Sequence, residues 1–175
     1  MFKKAIIAAA MLSALSFNVA QAADGSINFT GKIIATTCDI GAGSGDEKVN
    51  VAMGSYGANA FAATGSTVAN VPFSIDLSKC DDSIKQAKVL FEGTADGTNN
   101  KLIKLTGTKP ATGVGIGLYE SNGTAIELGK ASALQTVTGG NAKLGFIAKY
   151  VATKDKADIT SGDANGTTQF TIQYP

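Results

Sequence analysis

The sequence predicts an all-β sandwich, and three observations carry that prediction. Apolar residues recur with period two over most of the chain, the signature of half-buried strands. Clusters of Gly, Asn, Asp and Ser interrupt the alternation at short intervals, as turns between strands do. No long amphipathic helix, internal repeat, linker or low-complexity block breaks the pattern. At 175 residues the chain is a single domain by length and is large enough to bury a core.

The chain opens with an address. Lys3 and Lys4 precede an apolar stretch over residues 5–17, broken only by Ser13 and Ser16. Ala20, Gln21 and Ala22 then place small residues at both key positions of an A-x-A cleavage site. This is the pattern of a secretory signal peptide over residues 1–22, cleaved after Ala22. The apolar run is well short of the ~20 residues a membrane-spanning helix needs. Without Lys3 and Lys4 the exported product is close to neutral.

Export decides how Cys38 and Cys80, the chain's two cysteines, are read. In an oxidising compartment an even pair is most simply one structural disulfide. A redox pair calls for C-x-x-C, and a metal site calls for further ligands. The loop so closed spans about forty residues, which corresponds to roughly 4 kcal/mol of chain entropy.

The strands follow in order. Ile27, Phe29, Gly31 and Ile33 alternate with polar neighbours close to the new N-terminus. Chain ends are usually poorly ordered unless tied into a sheet. The segment is therefore either an ordinary first strand or one meant for another molecule's open sheet edge. Val71, Phe73, Ile75 and Leu77 form the next alternating run, and residues 82–88 admit a short helical turn. Val114, Ile116 and Leu118 continue the pattern, as do Leu144, Phe146, Ala148 and Tyr150. Phe170, Ile172 and Tyr174 close the chain with it. Turn clusters lie at residues 41–45, 96–100, 121–123 and 139–141.

The composition argues against chemistry. All 15 basic residues are Lys, and the chain has no His and no Trp. Without His there is no Ser-His-Asp or Cys-His machinery and no imidazole metal ligand. Without Arg there is no bidentate fork for phosphate or guanine, and a net charge of +1 leaves no footprint for nucleic acid. The pairs Asp46-Glu47 and Asp81-Asp82 match no calcium-loop pattern and read as solvated loop charges. Gly113, Gly115 and Gly117 do not fit a phosphate-cradling motif, and they read as strand glycines that permit close packing. The glycosylation triplets at Asn28, Asn122 and Asn165 are short enough to arise by chance. No catalytic residue, cofactor site or metal site emerges, so the chain does not read as an enzyme.

The combination of ends and interior carries a family resemblance. Phe29-Thr-Gly-Lys-Ile-Ile34 is followed by Cys38 and a Gly-rich loop, and Val71-Pro-Phe-Ser-Ile-Asp-Leu-Ser-Lys-Cys80-Asp carries the second cysteine. Gly162 stands fourteenth from the C-terminus and Tyr174 is penultimate, with Phe170 and Ile172 alternating before it. Gly113-Val-Gly-Ile-Gly-Leu-Tyr119 and Phe146-Ile-Ala-Lys-Tyr150 fit internal strands. From signal to C-terminus the chain resembles the major pilins of chaperone–usher fimbriae, the type 1 and P-like group. Pro175 departs from the polar residue that this pattern places last.

The resemblance implies an incomplete immunoglobulin-like β-sandwich, a pilin domain over residues 36–175 that lacks its final strand. Its groove would expose core side chains and an unpaired backbone edge, which invites pairing with another chain. Phe170, Ile172 and Tyr174 would border that groove, with Gly162 in the same C-terminal assembly motif. A periplasmic chaperone would fill the groove first. The N-terminal extension of the next subunit, residues 23–35, would then replace it as donor strand. Ile27, Phe29, Gly31 and Ile33 would enter successive pockets, with Gly31 opposite a shallow one. The contact is head-to-tail, so it propagates into a filament. The implied role is a structural fimbrial subunit supporting adhesion, passed through an outer-membrane usher to the cell surface, with no cofactor. Two other readings stand beside it: a minor or adaptor pilin of the same fold, and a complete secreted sandwich that binds a ligand such as a glycan. For the latter, four Tyr and no Trp make a thin aromatic platform.

Overall fold

The structure, a computed structural model, describes residues 27–31, 33, 37–41 and 48–175. The signal peptide at 1–22, Asp46-Glu47 and most of the turn cluster at 41–45 lie outside the described residues. The chain divides into two units, Met1–Ile33 and Ile34–Pro175. In the first, residues 27–31 and 33 have no regular secondary structure.

The second unit is all-β. Its strands are β1 (Asp39–Ile40), β2 (Thr67–Ser78), β3 (Gln86–Gly93), β4 (Val114–Glu120), β5 (Ala125–Ile126), β6 (Gln135–Thr136), β7 (Ala142–Ala152) and β8 (Thr168–Gln173). Two 3-10 turns, Ala58–Ala60 and Lys156–Asp158, are the helical pieces among the described residues. The strands form two antiparallel sheets, β1-β2-β7-β4-β5 and β6-β3-β8. The alternating runs from Val71 onward become strands, except that Tyr174 lies just past the end of β8.

Period two puts one face of each strand into the core. Ile75 and Leu77 of β2, Val89 and Phe91 of β3, Ile116 and Leu118 of β4, and Leu144 and Phe146 of β7 are all buried. Each such side chain contributes roughly 1.5–3 kcal/mol. Phe91 and Phe146 meet edge to face with ring centroids 5.1 Å apart, and Phe73 lies 5.6 Å from Phe146. Gly117 is required by close packing, because a Cβ there would lie 2.9 Å from Val151 Cγ2.

Residues 82–88 form no helical turn. The Asp81 carboxylate accepts from the Ser83 N–H at 2.8 Å and its carbonyl from the Ile84 N–H at 2.9 Å. That tight turn delivers the chain to β3, which begins at Gln86 and needs Ala87, Val89 and Phe91 on its buried face. Cys38 and Cys80 are joined in a disulfide, and both are buried. The bond ties the start of β1 to the end of β2, which pair at Asp39↔Ser78 and Ile40↔Leu77.

β3 is paired on both sides. β6 covers one end of it, the Leu90↔Ala131 bridge continues that flank, and β8 runs along the other flank from Lys88↔Gln173 to Gly93↔Thr168. β8 is therefore left at the end of its sheet.

Candidate functional site

The site is a seam in the sandwich. Of the four strands that end a sheet, β1, β5 and β6 are two residues long, whereas β8 has six. Very short edge strands offer little to pair with. β8 offers a full row of N–H and C=O groups on the side away from β3, and no named strand of the described residues takes them.

A second unpaired edge faces the same space. Val49, Val51 and Met53 are half-buried against the core while Lys48, Asn50, Ala52 and Gly54 are exposed. The segment is thus strand-like in its side chains. Yet no backbone–backbone hydrogen bond joins residues 48–56 to any other described segment. Between residues 48–54 and β8 lies a cleft of about 630 Å³. Its floor is the core itself: Ile75, Phe91, Ile116, Leu118 and Ala148 line it. Burying such side chains while leaving them open to a groove forgoes part of their hydrophobic stabilisation.

A smaller cleft of about 370 Å³ continues past Tyr150, lined by Phe61, Leu105, Val114 and Ile159 among others. Tyr150 lines both. Its hydroxyl donates to the Ala164 carbonyl at 2.8 Å, and burial pushes its phenol pKa up, with Tyr56 adding to the rise.

The residues singled out in the sequence fall in three places. Phe170 lines the large cleft opposite Phe91 in register, and Ile172 packs on the core opposite Val89. Tyr174 packs beyond the end of β8, where burial raises its phenol pKa and a hydrogen bond with the Cys38 backbone pulls it back. Gly162 lies in the smaller cleft, where the chain at 109–111 crosses it. A Cβ there would lie 2.6 Å from Ala111 N, and Asp163 is bonded to both sides of the crossing, donating to Lys109 C=O at 2.8 Å and accepting from Ala111 N–H at 2.9 Å. Ile27, Phe29 and Ile33 belong to the other unit and are 80%, 91% and 99% exposed, and a Cβ on Gly31 would touch nothing within 4 Å.

Sequence reasoning missed the wall at 48–54, although Val49, Val51 and Met53 carry the same period-two signal as the strands it found. It also read Tyr150 as core alone. Among the described residues, no group of three or more His, Cys, Asp or Glu side chains stands close enough to hold a metal ion. An apolar slot between two unpaired backbone edges has the shape and chemistry to accept an extended peptide as an added strand.

The comparisons with known proteins agree with this geometry. The family described as Fimbrial protein matches residues 27–175. The long polar fimbria protein A of Salmonella typhimurium is 33% identical over 178 residues, covering 99% of this chain and 98% of the relative. The type-1 fimbrial protein A chain of Salmonella typhi is 36% identical over 156 residues, covering 86% and 82%. The crystal structure of a Burkholderia pseudomallei antigen and type I fimbria protein superposes with a TM-score of 0.61 at 36% identity, covering 86% of this chain and 97% of the other. The P pilus rod subunit PapA shares the fold, with a TM-score of 0.61 at 19% identity over 80% of this chain and 100% of that one. From its alternating N-terminal segment to its last residue, the chain belongs to the fimbrial protein family.

Proposed function

We propose that the chain is a structural subunit of a surface fimbrium and polymerises by lending residues 23–35 to the open groove of a neighbouring copy. The observation that carries this reading is the groove itself, floored by core side chains and flanked by two unpaired edges. The donor has matching chemistry. Ile27, Phe29 and Ile33 are large, apolar and exposed, on alternate positions of a segment as long as the wall at 48–54. Both are about 20 Å long when extended, at ~3.3 Å per residue. Burying the three side chains contributes roughly 1.5–3 kcal/mol each, beside the backbone ladders restored on both edges. Gly31 would then sit opposite a pocket that admits no side chain.

Because donor and acceptor are different surfaces, each copy passes the contact on, and the product is a filament. Before assembly the same slot needs a temporary strand, which a periplasmic chaperone would supply before an outer-membrane usher releases the subunit to the cell surface. The fimbrial relatives give no support to a self-sufficient secreted binding module.

The test mixes two defective chains, each purified in mature form with its disulfide intact. Phe29→Asp spoils the donor and leaves the groove; Phe170→Asp spoils the groove and leaves the donor, with Val51→Asp as a second groove variant. Each alone is expected to stay monomeric in size-exclusion chromatography. Mixed, a donor-defective and a groove-defective chain are expected to form pairs and nothing longer. Polymers from either variant alone, or no pairs in the mixture, would overturn the proposal.

A further inference from the structure

The two clefts are compartments of one groove, joined at a waist. Gly54, Tyr150, Ala164 and Asn165 line both. The segment at 163–165 is anchored by backbone hydrogen bonds on either side of Ala164, from Asp163 N–H to Lys109 C=O, Ala111 N–H to Asp163 C=O, and Thr106 N–H to Asn165 C=O at 2.7 Å. At Ala164 itself that segment is held by the Tyr150 hydroxyl, which reaches from β7 to the Ala164 carbonyl at 2.8 Å. Tyr150 is itself buried, so its ring cannot swing away without opening the core.

Tyr56 is its opposite in every respect. It is 48% exposed and lies between Gly54, which has a φ of 76°, and Gly57. Its ring meets that of Tyr150 edge-on, with centroids 6.1 Å apart, and it lines the smaller compartment. A half-exposed side chain that meets Tyr150 edge-on and lies over Gly54, with a glycine two residues before it and another directly after, is cheap to displace.

We propose that Tyr150 is a positioning residue that fixes the waist of the groove, and that Tyr56 is a displaceable cover over the smaller compartment, so that these two tyrosines set how fast a donor strand is taken up. The inference rests on the donor-strand reading above. A tethered segment at 163–165 keeps the waist in the shape the strand needs, so little ordering is left to do there on insertion. Without the hydroxyl, only a fraction of the empty grooves is competent at any moment, and uptake slows by that fraction. Tyr56 acts the other way, because its ring has to leave before a side chain enters the compartment it lines.

Polymerisation of the mature, disulfide-intact chain, followed by light scattering at equal monomer concentration, separates the two roles. Tyr150→Phe keeps the ring and removes the tether; it is expected to slow growth about fivefold, equal to about 1 kcal/mol at 1.4 kcal/mol per tenfold, the size of one lost hydrogen bond. Tyr56→Ala is expected to speed growth several-fold. General destabilisation would move Tyr150→Phe and Tyr56→Ala in the same direction. That outcome, or unchanged rates in both, overturns the proposal. Phe29→Asp runs alongside as the control for the underlying reading. If it polymerises at the normal rate, the donor-strand reading has failed; if it stalls while the tyrosine variants behave normally, the tyrosine roles alone have failed.

Discussion

Two glycines carry opposite expectations. At Gly162 a methyl group would press on the backbone of 109–111, which is bonded on both sides and has nowhere to go. Gly162→Ala is expected to destabilise the subunit by about 1–3 kcal/mol, read as a lower urea midpoint. At Gly31 a Cβ would meet nothing within 4 Å, so Gly31→Leu is expected to leave that midpoint unchanged and, under the proposed exchange, to slow polymerisation, because the larger side chain would meet the groove of the next copy. The position of Gly162 was legible as part of a C-terminal pattern. Its reason was not, since it depends on a crossing with residues some fifty positions earlier. Glu127 is a third case. It accepts from Lys101 first and Lys130 second, and the two ammonium groups lower its pKa to about 2 from an ordinary 4.5. Its contribution is therefore complete above the unfolded value and is lost as pH falls toward about 2. Glu127→Gln is expected to flatten that part of the acid-stability curve, measured by urea midpoints between pH 5 and 2.

At the scale of the element, the alternating sequences of β2, β7 and β8 were legible because one face of each packs on the core and the other is more exposed. β4 was legible although it is buried along almost its whole length, because Gly115 and Gly117 stand between Val114, Ile116 and Leu118. β3 was not, although Ala87, Val89 and Phe91 alternate too: the charged approach through Asp81, Asp82 and Lys85 also suits a helical turn. The bulge in β2 was hidden for a different reason. Pairing with β7 slips between Val68↔Tyr150 and Val71↔Ala148, and Ala69 takes up the slack at a φ of 62°. Such a position usually carries Gly, and an Ala gives no warning. The left-handed conformation costs an L-residue about 1–2 kcal/mol, against a Gly entropy penalty of roughly 0.5–1 kcal/mol. Ala69→Gly is expected to raise the urea midpoint slightly, by up to about 1 kcal/mol of stability. The wall at 48–54 shows the limit of pattern reading from the other side. Its alternation is a strand's, but whether a strand has a partner is decided by what the rest of the chain leaves empty.

For the molecule as a whole, the disulfide stands in for cohesion that an open core lacks. It joins residues 42 apart, and replacing both Cys38 and Cys80 with Ser is expected to cost about 4 kcal/mol, seen as a large fall in the thermal midpoint. The sandwich and its cysteine bridge followed from the sequence by elementary rules, whereas the open seam did not. A missing strand leaves no residue to read, and only the resemblance pointed to it. The seam also has a consequence for the kinetics of growth. Under the proposed exchange, a chain with one donor and one acceptor is, in polymer terms, an A–B monomer, and every fibre it makes would have two chemically different termini. A copy with a groove but no donor is then a monofunctional stopper. Mean fibre length is expected to fall in inverse proportion to the mole fraction of such stoppers, so that stoichiometry, and no ruler in the fold, sets how long the fibre becomes.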